Sequence, residues 1–364
     1  MDPSVLDLNE SDGTLNFTLS GVNVSLANAL RRVVLSDIKC VILDSEILPD
    51  GGQAEGFEIQ KNTSRFNNEI LKQRLGCIPV HIKDVSIPVN EYLVELNVKN
   101  TTNENIIVTT ENFKIKNIKN GKYLSEADTL KIFPMNKQTK QFIDILRLRP
   151  KISDDIPGEE IVLMCPLAVR TAKDNAAYNV VSACAYGNSP DPVLIQEKWA
   201  EAKAADPEED EKNWHILNSQ RHYIKNSFDF TVKSCSVFNN IELMQQACAV
   251  INELMDTRVS NKCDDGSIQI VESQNNIDNC YDIIIENEDY TIGKVLEHLL
   301  YELYFVKEKT LTFCGFNKAH PHDTESIVRV AFKSKVDITT IRQLIKSVAQ
   351  QSNGLFNSLS QEFQ

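Results

Sequence analysis

Asn23-Val24-Ser25-Leu26-Ala27-Asn28-Ala29-Leu30-Arg31-Arg32-Val33-Val34-Leu35-Ser36 is the stretch on which the reading of this chain turns. Leu26, Ala29, Leu30, Val33 and Val34 recur at helical spacing, while Asn28, Arg31, Arg32 and Ser36 fall elsewhere on the wheel. Ser25 is a plausible N-cap. Just upstream, Leu15-Asn16-Phe17-Thr18-Leu19 alternates as a half-buried strand does, and Gly21 and Asn23 break it. The opening is therefore a strand, a turn and an amphipathic helix.

The same order returns further along. Phe228, Phe230 and Val232 alternate, and a long helix from about 240 to 258 carries Leu243, Met244, Ala247, Cys248, Ile251, Leu254 and Met255 on one face. Cys263-Asp264-Asp265-Gly266 reads as a turn and a boundary. Past it Tyr281, Ile283 and Ile285 alternate, and Asn287-Glu288-Asp289 turns. Thr291 can cap a helix with Ile292, Val295, Leu296, Leu299 and Leu300. Two more strands follow, then a terminal helix with Ile341, Leu344, Ile345, Val348, Leu355, Phe356 and Leu359 on one face. Such a recurrence predicts two similar units packed about a pseudo-twofold axis, with the long helices burying their stripes against each other.

Between the first helix and the returning strands the pattern differs. Pro49-Asp50-Gly51-Gly52 reads as a turn, Asn67 to Leu75 as a short helix stopped by Gly76 and Pro79, and the runs around Val94 to Val98 and Ile106 to Val108 as strands. Residues 49–155 are read as an inserted β-rich unit. The charged, Ala-rich stretch Glu197 to Lys212 is read as a solvated helix and loop.

The composition is that of a soluble globular protein, 42% hydrophobic and 24% charged. A net charge of −13 opposes a primary task of gripping nucleic-acid phosphates, so protein partners are expected first. The nine cysteines are scattered, with no CxxC pair, as reduced core thiols of an intracellular protein would be. No apolar run approaches the ~18 residues of a membrane span. The N-terminal residues lack the apolar core of a signal peptide.

The Leu26-Ala27-Asn28-Ala29-Leu30-Arg31-Arg32 run after a strand resembles the signature of the RNA polymerase alpha-subunit family, which includes the third- and eleventh-largest eukaryotic subunits. Asn62-Thr63-Ser64 followed by Arg74-Leu75-Gly76-Cys77-Ile78-Pro79-Val80 is similar to the family's helix running into Arg-Leu-Gly-x-Ile-Pro. Glu288-Asp289-Tyr290-Thr291-Ile292-Gly293, Phe313-Cys314-Gly315-Phe316 and His320-Pro321 resemble motifs of the eleventh-largest subunit. The resemblance implies an α+β fold in which two alpha-type dimerisation units share one chain. Its third-subunit-like unit would span 1–48 and 156–258, interrupted by the insertion at 49–155, and its eleventh-subunit-like unit 266–364. It implies a non-catalytic assembly scaffold of a DNA-directed RNA polymerase, a platform for the largest and second-largest subunits and small accessory subunits. No cofactor, membrane or sequence-specific DNA contact is expected. Such a subunit fusion is known among large DNA viruses, which implies viral transcription in virion and host cytoplasm, or the nucleus otherwise. The sequence departs from the family in two places. No cysteine lies between Cys77 and Cys165, where the eukaryotic third subunit has a zinc cluster, and Ala172 to Tyr178 has lost most of the family's basic and imidazole groups.

Asn28, Arg31, Arg32, Arg74, Gly293 and His320 are the candidate interface residues. A guanidinium can grip a carboxylate or carbonyl in bidentate fashion, and the bland alternative is a solvated arginine. Glycine permits close backbone approach. Leu243, Ala247, Ile251 and Leu254, with Leu344, Ile345, Val348 and Phe356, are the candidate dimerisation faces. Cys314, His298, His320 and His322 lack the spacing of a standard zinc motif, so no metal is expected. The acidic clusters Asp154-Asp155, Asp264-Asp265 and Glu208 to Glu211 read as solvated loops, without the strand-borne carboxylates of two-metal chemistry. Two rivals stand beside the scaffold: a free-standing homodimeric adaptor, and a hydrolase or transferase with a diffuse active site.

Overall fold

The computed structural model describes residues 2–45, 56–153 and 155–363. The turn expected at Pro49 to Gly52 and the residue Asp154 lie outside them. The chain starts with β1 (Ser4–Ser11), β2 (Thr14–Ser20) and α1 (Val24–Ser36). Then come β3 (Cys40–Leu43), β4 (Glu58–Asn62), α2 (Asn68–Gly76), β5 (Tyr92–Lys99), β6 (Ile106–Thr109), β7 (Lys114–Asn117), α3 (Glu126–Ile132), β8 (Asp144–Leu148) and β9 (Glu160–Arg170). It continues through β10 (Val181–Pro190), α4 (Pro192–Ala205), α5 (Glu211–Leu217), β11 (Tyr223–Ser234), α6 (Asn240–Met255) and α7 (Asn261–Asp264). It ends with β12 (Gln269–Glu272), β13 (Cys280–Glu286), α8 (Tyr290–Leu300), β14 (Leu311–Asn317), β15 (Glu325–Phe332) and α9 (Ile338–Glu362). The fold is α+β, with every named sheet antiparallel.

One compact unit comprises Met1–Ile38, Val181–Ser234 and Asn239–Gln364. It holds two four-stranded sheets, ordered β1-β2-β11-β10 and β12-β13-β15-β14. The two orders are the same path: a strand pair, a helix, then a second strand pair whose last strand docks beside the first pair, then a long helix. The sequence reading began at β2 and missed β1. Its signal was Asp12-Gly13, whose φ values of 51° and 70° match a two-residue hairpin turn that favours these residues. Leu15, Phe17 and Leu19 are buried, and Phe17 stacks on Phe230 at 5.1 Å.

The helix starts differ from the reading at both caps. Asn23, not Ser25, caps α1, its side chain accepting from the Ser25 N–H at 2.9 Å. Asp289, not Thr291, caps α8 by accepting from the Thr291 N–H at 2.8 Å. In each case the capping carboxylate or amide reaches forward two residues, so the cap precedes the first helical turn. Helix α4 buries none of its residues.

The other compact unit comprises Lys39–Val180 and Cys235–Phe238. It is wider than the insertion read from sequence because β9 is its central strand. β9 pairs with β3 and β4 along one edge and with β5 along the other. The core of this unit includes Leu71, Leu75, Leu96, Ile115, Phe133 and Leu163.

Across β13 and β15, Asp282 faces Arg329 in register and receives both Nε (2.6 Å) and an Nη (2.8 Å). The Arg329 guanidinium holds the Asp282 carboxyl below its ordinary pKa. A carboxyl whose folded pKa is depressed contributes stability that is complete above its unfolded pKa of about 3.9 and is lost as pH falls through the folded value. Asp282→Asn should therefore lower the melting temperature at neutral pH, and the difference from wild type should shrink as the melts are repeated at increasingly acidic pH.

Candidate assembly interface

The two halves of the first unit meet through like elements. Helix α6 packs on α9, and α1 packs on α8. On α6 the residues Leu243, Met244, Ala247, Cys248, Ile251 and Met255 are buried. On α9 the buried set includes Ile341, Leu344, Ile345, Val348, Phe356 and Leu359. Each large side chain removed from water this way contributes about 1.5–3 kcal/mol. Of the eight expected face residues, seven are buried, and Leu254 is half-buried, with Met255 taking the inward position.

Polar contacts fix the direction of the α6–α9 pair. The Gln245 amide donates to the Phe363 carbonyl (3.1 Å), the Asn252 amide to Asn357 Oδ1 (2.8 Å), and the Asn353 amide to Asp256 Oδ1 (2.8 Å). Rising numbers on α6 meet falling numbers on α9, so the helices run antiparallel. Phe363, fully buried, then sets its ring edge against Phe17 of β2 at 5.1 Å. None of these asparagines was singled out from sequence, since an asparagine in a helix has no periodic signature.

Arg32 joins α1 to the start of α8. Its Nη2 donates to Asp289 Oδ2 at 2.6 Å and its Nε to the Thr291 hydroxyl at 2.8 Å. Asp289 thus caps α8 with one oxygen and binds Arg32 with the other. Arg31 turns back on its own helix, both Nε (3.1 Å) and Nη2 (3.0 Å) donating to Asn28 Oδ1. In the second helix Lys294 and Glu297 pair at 2.5 Å instead.

Gly293 owes its identity to a ring. A Cβ built there would lie 2.1 Å from Phe316 Cε2, and Phe316 is held edge-on by Tyr290 at 5.1 Å. Arg74 lies in the other unit. Its Nε and Nη2 donate to the carbonyls of Ile145 and Asp144, both at 2.7 Å, so it ties α2 to β8. His320 is exposed in a loop, where its Nδ1 accepts from the His322 N–H at 3.1 Å.

The remaining chemistry is quiet. Burial pushes the thiols of Cys184, Cys248 and Cys314 up to about 12 and those of Cys40 and Cys263 to about 11, which leaves them protonated and poor nucleophiles. Burial also lowers His298, against the upward pull of Glu302 and Glu297. Among the described residues no three His, Cys, Asp or Glu side chains gather as a metal site would require. No described helix is long and apolar enough to cross a membrane.

Comparison with known proteins follows the same elements. Residues 16–255, from β2 through α6, match the family profile of the RNA polymerase Rpb3/Rpb11 dimerisation domain. The chain belongs to that family. It is 27% identical over 217 residues to the DNA-directed RNA polymerases I and III subunit RPAC1 of Saccharomyces cerevisiae, covering 53% of this chain and 58% of that one. The human RPAC1 subunit is 24% identical over 208 residues, covering 52% and 56%. The match thus spans a little over half the length of these two relatives. The DNA-directed RNA polymerase II subunit RPB3 of Schizosaccharomyces pombe is 24% identical over 288 residues, 74% of this chain and 91% of that subunit.

Two experiments probe these contacts. In a double-mutant cycle on Arg32→Ala and Asp289→Ala, denaturant unfolding should show a coupling of about 0.5–1 kcal/mol, as expected for a partly exposed ion pair. Gly293→Ala should lower stability by about 1–3 kcal/mol through overpacking against Phe316, and Phe316→Leu in the same chain should recover part of the loss.

Proposed function

We propose that this chain is a non-catalytic assembly scaffold of a DNA-directed RNA polymerase, with a third-subunit-like unit and an eleventh-subunit-like unit paired within one polypeptide. The observation that carries the reading is the recurrence of one strand order in two sheets, with α1 packed on α8 and α6 on α9. A family named for its dimerisation domain supports it. In this reading the pair is what a heterodimer of separate subunits would be, joined covalently through the boundary at 258–266. The first unit keeps its insertion, and the second begins at 266.

The mechanism is binding. A rigid pair of units offers the largest and second-largest polymerase subunits, with small accessory subunits, a common platform, and the nucleotidyl-transfer site lies on those other chains. Arg74 and His320 keep exposed side chains for such contacts, Asn28 and Arg31 are half-buried against each other, Arg32 serves the internal pairing, and Gly293 makes room for Phe316 within its own half. Protonated thiols and the scatter of titratable groups favour this over a hydrolase or transferase. The subunit would act wherever its polymerase does, in the nucleus or, for a large DNA virus, in the virion and the host cytoplasm.

Native affinity purification of the tagged chain from its own cellular context tests the proposal. Near-stoichiometric recovery of two very large polymerase subunits is expected by mass spectrometry. Recovery of the chain alone, or only with copies of itself, under gentle salt would sink it.

A further inference from the structure

One surface cleft has chemistry that the pairing interface leaves unused. It has a volume of about 300 Å³, lies in the 39–180 unit, and is lined by Ser64, Arg65, Phe66, Arg74, Asp144 and Arg147. Three guanidinium groups therefore border one small concavity with a single carboxylate, in a chain of net charge −13.

The walls are held in place. Asn62 Oδ1 accepts from the Ser64 N–H (3.0 Å) and hydroxyl (2.7 Å), and its amide donates to the Phe66 carbonyl at 2.8 Å. The segment carrying Arg65 is thus pinned at both sides. Arg74 lies over the Phe66 ring at 5.4 Å and is fixed by its two carbonyl bonds. Arg147 projects from β8, whose neighbours Ile145, Leu146 and Leu148 are buried. The side chains of Arg65 and Arg147 are exposed and have no hydrogen-bond or ion-pair partner among the described residues.

Three like charges beside one carboxylate oppose each other, and a guanidinium fork is matched to a carboxylate. We propose that this cleft receives the carboxylates of an acidic segment from a protein partner. The size favours one or two side chains, at the lower limit of ligand pockets. A short acidic segment needs attraction only within a Debye length of about 8 Å, which three guanidinium groups around one cleft supply locally. This inference stands apart from the polymerase reading, because it requires only an acidic partner.

The test uses the full chain and a fluorescein-labelled hexaglutamate peptide, followed by anisotropy at low salt. Saturable binding is expected, weakened about tenfold or more by Arg65→Ala with Arg147→Ala, as loss of charge-assisted bonds would cause. Lys198→Ala, at a half-buried lysine paired with Glu201 on α4, should leave it unchanged. The thermal melt of the double variant separates a lost site from a lost fold. Absence of saturable binding, equal binding by the double variant, full displacement by inorganic phosphate at matched ionic strength, or preferential binding of a labelled oligonucleotide would each overturn the proposal.

Discussion

Helices α6 and α9 each carry an apolar stripe that cannot remain in water, and each covers the other along an antiparallel contact. Much of the first unit follows from that constraint. The strands leading into α6 and α9 must end where the two helices can meet, so β11 and β15 become interior strands of their sheets. The end of α9 reaches the sheet of the other half, where Phe363 closes on Phe17. The first half is thus completed by residues at the far end of the chain.

Apolar burial alone would tolerate sliding, because one methyl-lined stripe fits another in several registers. The side-chain amides remove that freedom. Gln245, Asn252 and Asn353, all half-buried, each find a partner at one register, and a slip would lose those hydrogen bonds, at most about 0.5–1.5 kcal/mol each. Arg32 adds a preference for unlike partners. It needs the carboxylate of Asp289, and α1 itself is capped by Asn23, so a second copy of α1 in the place of α8 would offer it no charge. Lys294 and Glu297, where α1 has Asn28 and Arg31, sharpen the difference between the halves.

The second unit depends on a different strand. β9 is shared by three ladders, and the core beneath it gathers residues from 41 to 169. Arg74 belongs to this arrangement. The motif that contains it was legible in the sequence, but its grip on two backbone carbonyls of β8 was not, since a main-chain acceptor leaves no mark on sequence.

The sequence by itself determined what periodicity and composition can carry: the helices beginning near 24, 240, 290 and 338, their inward faces, the α+β class and the likeness to polymerase alpha-type subunits. Those properties repeat over a few residues and survive in any context that buries one face. Local chemistry was partly misread where two neighbours could each cap a helix, as at Asn23 and Ser25, because only the backbone geometry selects between them. Tertiary structure alone decided that Arg32 reaches Asp289, that Gly293 is kept bare by Phe316, and that Arg65 and Arg147 border one cleft. Each of these joins residues far apart in the chain, and their meeting depends on how whole sheets and helices pack, which no local pattern encodes.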